Sequence, residues 1–200
     1  MKMNYQKVLD EILKETTAMQ RKPKLLLHSC CAPCSTYVIE YLLSYFDISV
    51  LYYNPNIYPE EEYLKRKDEQ IRLINEIKQD KYINIIDIEY EREKFEQIAL
   101  GYEGEKEGGA RCVRCFRFRM IRTAEIAKEK SYDYFCTTLT VSPHKNAEKI
   151  NEIGELIQKE VGIKWLYSDF KKNEGYKKSI ELSKKYDLYR QDYCGCEYSK

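Results

Sequence analysis

The chain is predicted to fold as an α/β, Rossmann-like three-layer sandwich on a mostly parallel sheet, in a single domain of residues 1–200. Three observations predict it. Short apolar runs of strand length, rich in β-branched and aromatic residues, recur along the chain. Between them lie segments whose apolar residues return every three or four positions. Parallel strands need a crossover between them, and helical crossovers cover both faces of the sheet. Finally, 200 residues with 43% hydrophobic content suffice for one core without disulfide staples.

The predicted strands are 24–29, 47–55, 81–90, 132–139 and 163–170, and the predicted helices 35–46, 59–79, 91–100, 112–130, 145–160 and 174–185. Residues 1–22 form an N-terminal helical extension, and 186–200 a C-terminal tail. Pro59 suits the first turn of a helix, and the acids after it favour the positive dipole end. GYEGEKEGGARC, residues 101–112, has no periodicity and reads as a loop long enough to reach over a site.

Lysine plus arginine (34) nearly cancels aspartate plus glutamate (33), so affinity for nucleic acid requires a local patch and not a global field. The first twenty residues are too polar for a signal peptide, and no apolar stretch nears the roughly 18 to 20 residues of a membrane span. A cytoplasmic protein with no membrane partner is expected. Eight cysteines in a reducing compartment point to metal or redox chemistry more than to a disulfide framework.

In an open α/β sheet, ligands bind beyond the carboxyl ends of the strands. Cys30, Cys31 and Cys34 follow the first predicted strand, where a related nucleotide-binding protein would carry glycines; no phosphate-loop pattern occurs in 28–36. Backbone N–H groups and a helix dipole there favour thiolates. Cys112-Val-Arg-Cys115 opens a long helix just after the glycine-rich loop, and such spacing turns two sulfurs toward one zinc or iron-sulfur centre. Cys194-Gly-Cys196 is a third group, whose glycine lets the backbone bring two sulfurs within reach of a strained, easily reduced disulfide. Cys136, inside a strand, reads as packing. Four thiolates also suit structural zinc, although adjacent cysteines at 30 and 31 differ from paired zinc knuckles.

Arg111, Arg114 and Arg117, with Arg119 and Arg122, surround the second cysteine pair and suit phosphate groups. The alternative is a solvated helix face paired with neighbouring acids. TTLTVSPHKN, 137–146, follows the fourth strand and brings Thr138, Ser142 and His144 to the same sheet edge, with helix capping the alternative for Ser142. Asp169 ends the fifth predicted strand, as an oxygen ligand, an acid/base group or a helix cap.

HSCCAPCS, YYNPNIYP, GGARCVRCFRFRM, TTLTVSPHKN, SDFKK and LYRQDYCGCEYS together resemble the QueH family, the cobalamin-independent epoxyqueuosine reductases, from about residue 24 to the end. The resemblance implies a scaffold of the HUP type and the last step of queuosine synthesis: removal of the epoxide oxygen from epoxyqueuosine at the wobble position of tRNA with GUN anticodons. It implies a 4Fe-4S cluster on Cys30, Cys31, Cys112 and Cys115, and a redox-active disulfide pair in Cys194 and Cys196. It also implies an electron donor as partner. Some members have aspartate at the position of Cys34, an exchange that suits a ligand to a second, mononuclear iron; Asp169 is another candidate. Epoxide to alkene plus water needs two electrons and two protons. On this reading an exposed iron acts as Lewis acid, Asp169 or His144 handles a proton, and Phe116, Tyr52 or Tyr53 stacks on the base. Two rival classes remain: a tRNA sulfur-transfer enzyme, iron-sulfur or ATP-dependent, on a related fold, and a non-catalytic zinc-stabilised nucleic-acid binding module.

Overall fold

A computed structural model describes residues 3–77 and 83–199. Residues 1–2 of the extension, 78–79 of the second predicted helix, 81–82 of the third predicted strand and residue 200 lie outside them. β1 (Lys24–His28), β2 (Asp47–Leu51), β3 (Asn84–Ile86), β4 (Tyr134–Thr137) and β5 (Lys164–Trp165) form one sheet in the order β3-β2-β1-β4-β5. Every neighbouring pair is parallel. The helices are α1 (Tyr5–Thr17), α2 (Ala32–Leu42), α3 (Glu60–Ile77), α4 (Arg92–Ala99), α5 (Ala110–Glu129), α6 (Ala147–Val161) and α7 (Gly175–Lys185). None of the described helices is long and apolar enough to cross a membrane.

Three consecutive leucines show how the layers arise. Leu25 and Leu27 of β1 join one core with Leu9 of α1, Val38 of α2 and Leu182 of α7, while Leu26 joins another with Met120 of α5 and Ile150 of α6. Side chains alternate across a strand, so a strand covered on both faces reads as an unbroken apolar run. α7 lies on α2 closely enough that Gly175 is in the contact: a Cβ there would fall 1.8 Å from the Phe170 carbonyl oxygen and 2.5 Å from Tyr37 Cε1.

Several predicted strands run past the observed ladders. The runs at 47–55, 132–139 and 163–170 continue as buried irregular chain: Tyr52, Tyr53, Leu139 and Leu166 are buried outside the ladders. Apolarity reports burial, and chain tucked under helices beyond the strand ends is as buried as the strands. Two helices begin earlier than expected. Pro33, which has no N–H to satisfy, sits in the first turn of α2, so that helix starts at Ala32 and places Cys34 within its first turn. α5 starts at Ala110, with Cys112 and Cys115 one turn apart on the same side.

Strand order reverses between β1 and β4, and the crevice beyond their carboxyl ends is where such a sheet takes ligands. The cysteines after β1 and the threonines after β4 meet there.

Candidate metal centre

The loop from β1 into α2 is fixed from below and from both sides. His28 is fully buried, with Nδ1 2.8 Å from Thr137 Oγ1 of β4 and Nε2 3.0 Å from the Tyr53 carbonyl. A carbonyl only accepts, so Nε2 carries the proton and Nδ1 accepts from Thr137. Burial, then the Arg119 charge, lowers the His28 pKa to about 4, which keeps the ring neutral. Ser29 Oγ donates to Gln70 Oε1 of α3 at 2.6 Å, Ser35 Oγ donates to the same oxygen at 3.0 Å, and Asn54 Nδ2 donates to the Ser29 carbonyl at 2.8 Å. These bonds clamp the cysteine loop between the sheet and α3.

On this base the Sγ atoms of Cys30, Cys31 and Cys34 all lie within 4.8 Å of one another. Thr138 ties Cys30 to the end of β4 twice. Its Oγ1 accepts the Cys30 N–H at 3.1 Å and lies 3.3 Å from the Cys30 sulfur, to which it donates. The three thiols divide their acidity unequally. Hydrogen bonds from Cys31 and Cys34 pull the Cys30 pKa well below the ordinary thiol range, against burial. The same bond to Cys30 pushes Cys31 up to about 12, and Cys34 is raised by donating to both neighbours. Three sulfurs this close favour one thiolate shared among them, and a metal ligand must lose its proton.

The other cysteine groups face the same space. Cys112 Sγ accepts the Gly108 N–H of the glycine-rich loop at 3.2 Å, and Cys115 packs with Phe95, Ala99 and Cys196. The tail is held across α3: the Tyr189 N–H donates to Glu69 Oε1 at 2.6 Å, the Tyr58 N–H to the Gly195 carbonyl at 2.9 Å, and Arg92 pairs with Glu197. Gly195 sits at φ +97 beside Ile57 and Arg66, a conformation and a closeness that only glycine accepts. Both cysteines of this turn are free thiols. A hydrogen bond from Cys196 lowers the Cys194 pKa to about 5 and raises that of Cys196 in return. The result is a cavity of about 490 Å³ lined by Cys30, Cys31, Cys34, Cys112, Cys115, Cys194 and Cys196. Of the eight cysteines, only Cys136 lies elsewhere; it is buried in β4 with its thiol directed to the Leu166 carbonyl.

Ser142, His144 and Phe116 also line the cavity, and Thr138 lies beneath it. Asp169 is not in the lining; its carboxylate holds Lys171 at 3.0 Å. The three arginines singled out in the sequence are engaged. Arg111 is buried, donating to the carbonyls of Tyr102, Glu103, Glu105 and Tyr198, so it fastens the glycine-rich loop to the tail. Arg114 donates to the Ile98 carbonyl, and Arg117 pairs with Glu160 at 2.8 Å; neither lines the cavity. Tyr52 and Tyr53 cannot stack on a base, since both are buried and the Tyr53 hydroxyl is bound to Glu91 at 2.6 Å. Arg111 lines the cavity with the thiols, as do Arg119, which sequence reading names only among the surrounding arginines, and Lys145, which it does not name. For Arg119 a signal existed. Positions 112, 115 and 119 recur at helical spacing on one stripe, whereas 114 and 117 lie well off it.

A family model described as epoxyqueuosine reductase QueH matches residues 25–200. The chain belongs to the QueH family. Among curated QueH relatives, each named epoxyqueuosine reductase, that of Staphylococcus epidermidis is 46% identical over 99% of this chain and 85% of its own length. That of Streptococcus pyogenes is 42% identical over 99% of this chain and 78% of its own. That of Thermotoga maritima is 36% identical over 88% of this chain and 89% of its own. The QueH match spans β1 to the tail, the elements that supply all seven cavity cysteines. Three sulfurs within 4.8 Å, with four more thiols around one cavity, are a donor set that fits a thiolate-bound metal.

Proposed function

We propose that the chain is an epoxyqueuosine reductase that reduces epoxyqueuosine at the tRNA wobble position through an iron-sulfur centre in this cavity. The observation that carries this reading is the convergence of seven thiols from three distant parts of the chain on one enclosed space at the sheet's switch point. Cys30, Cys31, Cys112 and Cys115 would hold a 4Fe-4S cluster, and Cys34, in contact with the first two, is available to a second iron. Bound there, such a group supplies electrons one at a time, with a potential set by charge and hydrogen bonding around its sulfurs.

The chain's own residues do the rest. Thr138 and the Gly108 amide orient the Cys30 and Cys112 sulfurs. Phe116 forms an apolar wall of the cavity, with the Arg119 guanidinium over its ring. His144, exposed at the mouth beside Ser142, is placed to exchange protons with solvent as the epoxide oxygen leaves as water. Cys194 and Cys196 form a dithiol that can pass two electrons inward from an external donor by closing to a disulfide. Eight free cysteines fit a reducing compartment such as the cytoplasm.

The test is anaerobic protein incubated with a low-potential reductant and tRNA carrying epoxyqueuosine. Queuosine should form, and the protein should contain about four irons and four sulfides per chain, as a full cluster requires. Stoichiometric zinc without iron, or iron-loaded protein that leaves the epoxide intact, overturns the reading.

Binding of tRNA is assigned to cations at the cavity mouth, where Lys149 and Arg190 stand beside His144. Alanine at both should lower the slope of log affinity against log salt by about one unit per lost phosphate contact. Alanine at Arg114 and Arg117 should change it less, because neither lines the cavity. The reverse ranking returns the phosphate surface to α5.

A further inference from the structure

Four cations that line the cavity form no ion pair among the described residues: Arg111, which donates to backbone carbonyls, the exposed Arg190, and Arg119 and Lys145. Arg119 is only 4% exposed; Nη1 donates to Asn54 Oδ1 at 3.0 Å, Nε to the Cys115 carbonyl at 3.4 Å, and the guanidinium lies over the Phe116 ring. Lys145 is half-buried in the turn before α6. The neighbouring lysines Lys149 and Lys171 are paired with Glu152 and Asp169, but Lys145 forms no ion pair among the described residues, although Glu107 and Asp192 line the same cavity.

Burying a charged group without a counter-ion is costly, so a fold that keeps two of them near one another has an anion to match. The thiols are the anions within reach. Lys145 lines the cavity together with Cys30, Cys34 and Cys194. Arg119 lies one helical turn beyond Cys115 and lines the same cavity. Each thiol that ligates a metal must lose its proton, so a loaded site gathers several negative charges in a low-dielectric space. A phosphate of the substrate is a poorer match, because Arg119 is sealed from solvent.

We propose that Arg119 and Lys145 are the counter-charge of the metal-bound thiolates, strengthening metal retention and making the bound centre easier to reduce. This rests on the metal-centre reading above. Both are positioning residues, acting through the sulfurs and not on the substrate.

The experiment uses full-length, metal-free protein under anaerobic conditions, titrated with cobalt(II) and followed by its thiolate-to-cobalt absorption. Lys145→Met should bind cobalt about tenfold more weakly than wild type, a unit charge removed from a partly buried site, whereas Lys145→Arg should bind like wild type. With iron loaded, the midpoint potential of Lys145→Met should move to a more negative value and that of Lys145→Arg should not. Arg119→Gln should shift both readouts in the same direction, but Lys145 carries the test because its removal leaves the core intact. Unchanged cobalt affinity and potential in Lys145→Met overturn the proposal while leaving the metal centre standing. Wild-type protein that gives no thiolate-to-cobalt band overturns the metal centre and this proposal with it.

Discussion

Replacing Cys30 by alanine is expected to abolish metal retention and to reduce turnover by more than the roughly 10- to 100-fold that loss of an outer-shell partner costs. Cys30 is fixed through both its backbone and its sulfur. Its backbone N–H and its sulfur are both tied to Thr138, and its sulfur lies 3.8 Å from that of Cys31. It is the member of the trio that ionises first, because its two neighbours donate to it. Without it, Cys31 and Cys34 lose the acceptor that organises them. Iron and sulfide analysis with visible absorption checks the result on anaerobic protein, and Cys136→Ala is the control. Cys136 lies in β4 away from the cavity, so that variant should lose some stability and keep its metal. A Cys30→Ala protein that still holds a full complement of iron would remove Cys30 from the ligand set.

Gly175→Ala is expected to destabilise the fold by about 3 kcal/mol, at the upper end for overpacking, because the added methyl meets a backbone oxygen that cannot rotate away. The Cβ would stand 1.8 Å from the Phe170 carbonyl oxygen. Relief requires the turn from Phe170 into α7 to open and α7 to move off Tyr37 of α2, the helix whose first turn carries Cys34. Gly104→Ala is the comparison, since nothing lies within 4 Å of its added Cβ. Urea midpoints of the two variants measure the difference, and equal midpoints would mean the α2–α7 contact is looser than described. Metal affinity should fall with stability in Gly175→Ala and stay level in Gly104→Ala.

The layered fold was legible because covered parallel strands leave apolar runs that no solvent-facing strand would show, as the leucines of β1 do. Strand ends were not. β5 has only two ladder residues, yet Leu166 and Phe170 beyond it are as buried as the strand itself. The cysteine groups were legible as residue types at metal-binding spacings. That all of them face one cavity depends on β1 and β4 being neighbours, a pairing that joins His28 to Thr137 across 109 positions and leaves no local trace. The same holds for Lys145, a single residue in a turn. The density of arginine around Cys112 and Cys115 was visible, but its direction was not weighed: the helical stripe selects Arg119, while Arg114 and Arg117 turn toward the Ile98 carbonyl and Glu160.

The gathering of seven thiols around one hollow also constrains the order of events in the cell. Sulfurs held a few ångströms apart, one of them with a lowered pKa, are quick to attack one another once an oxidant converts any of them to a sulfenic acid or a disulfide. An occupied site shields them, since a sulfur engaged with metal is not free to make that attack. Loading must therefore precede exposure to oxygen or peroxide, and protein synthesised while its metal is scarce faces a race between maturation and scrambling. The same architecture that gathers the ligands makes the empty chain the most perishable form of the molecule.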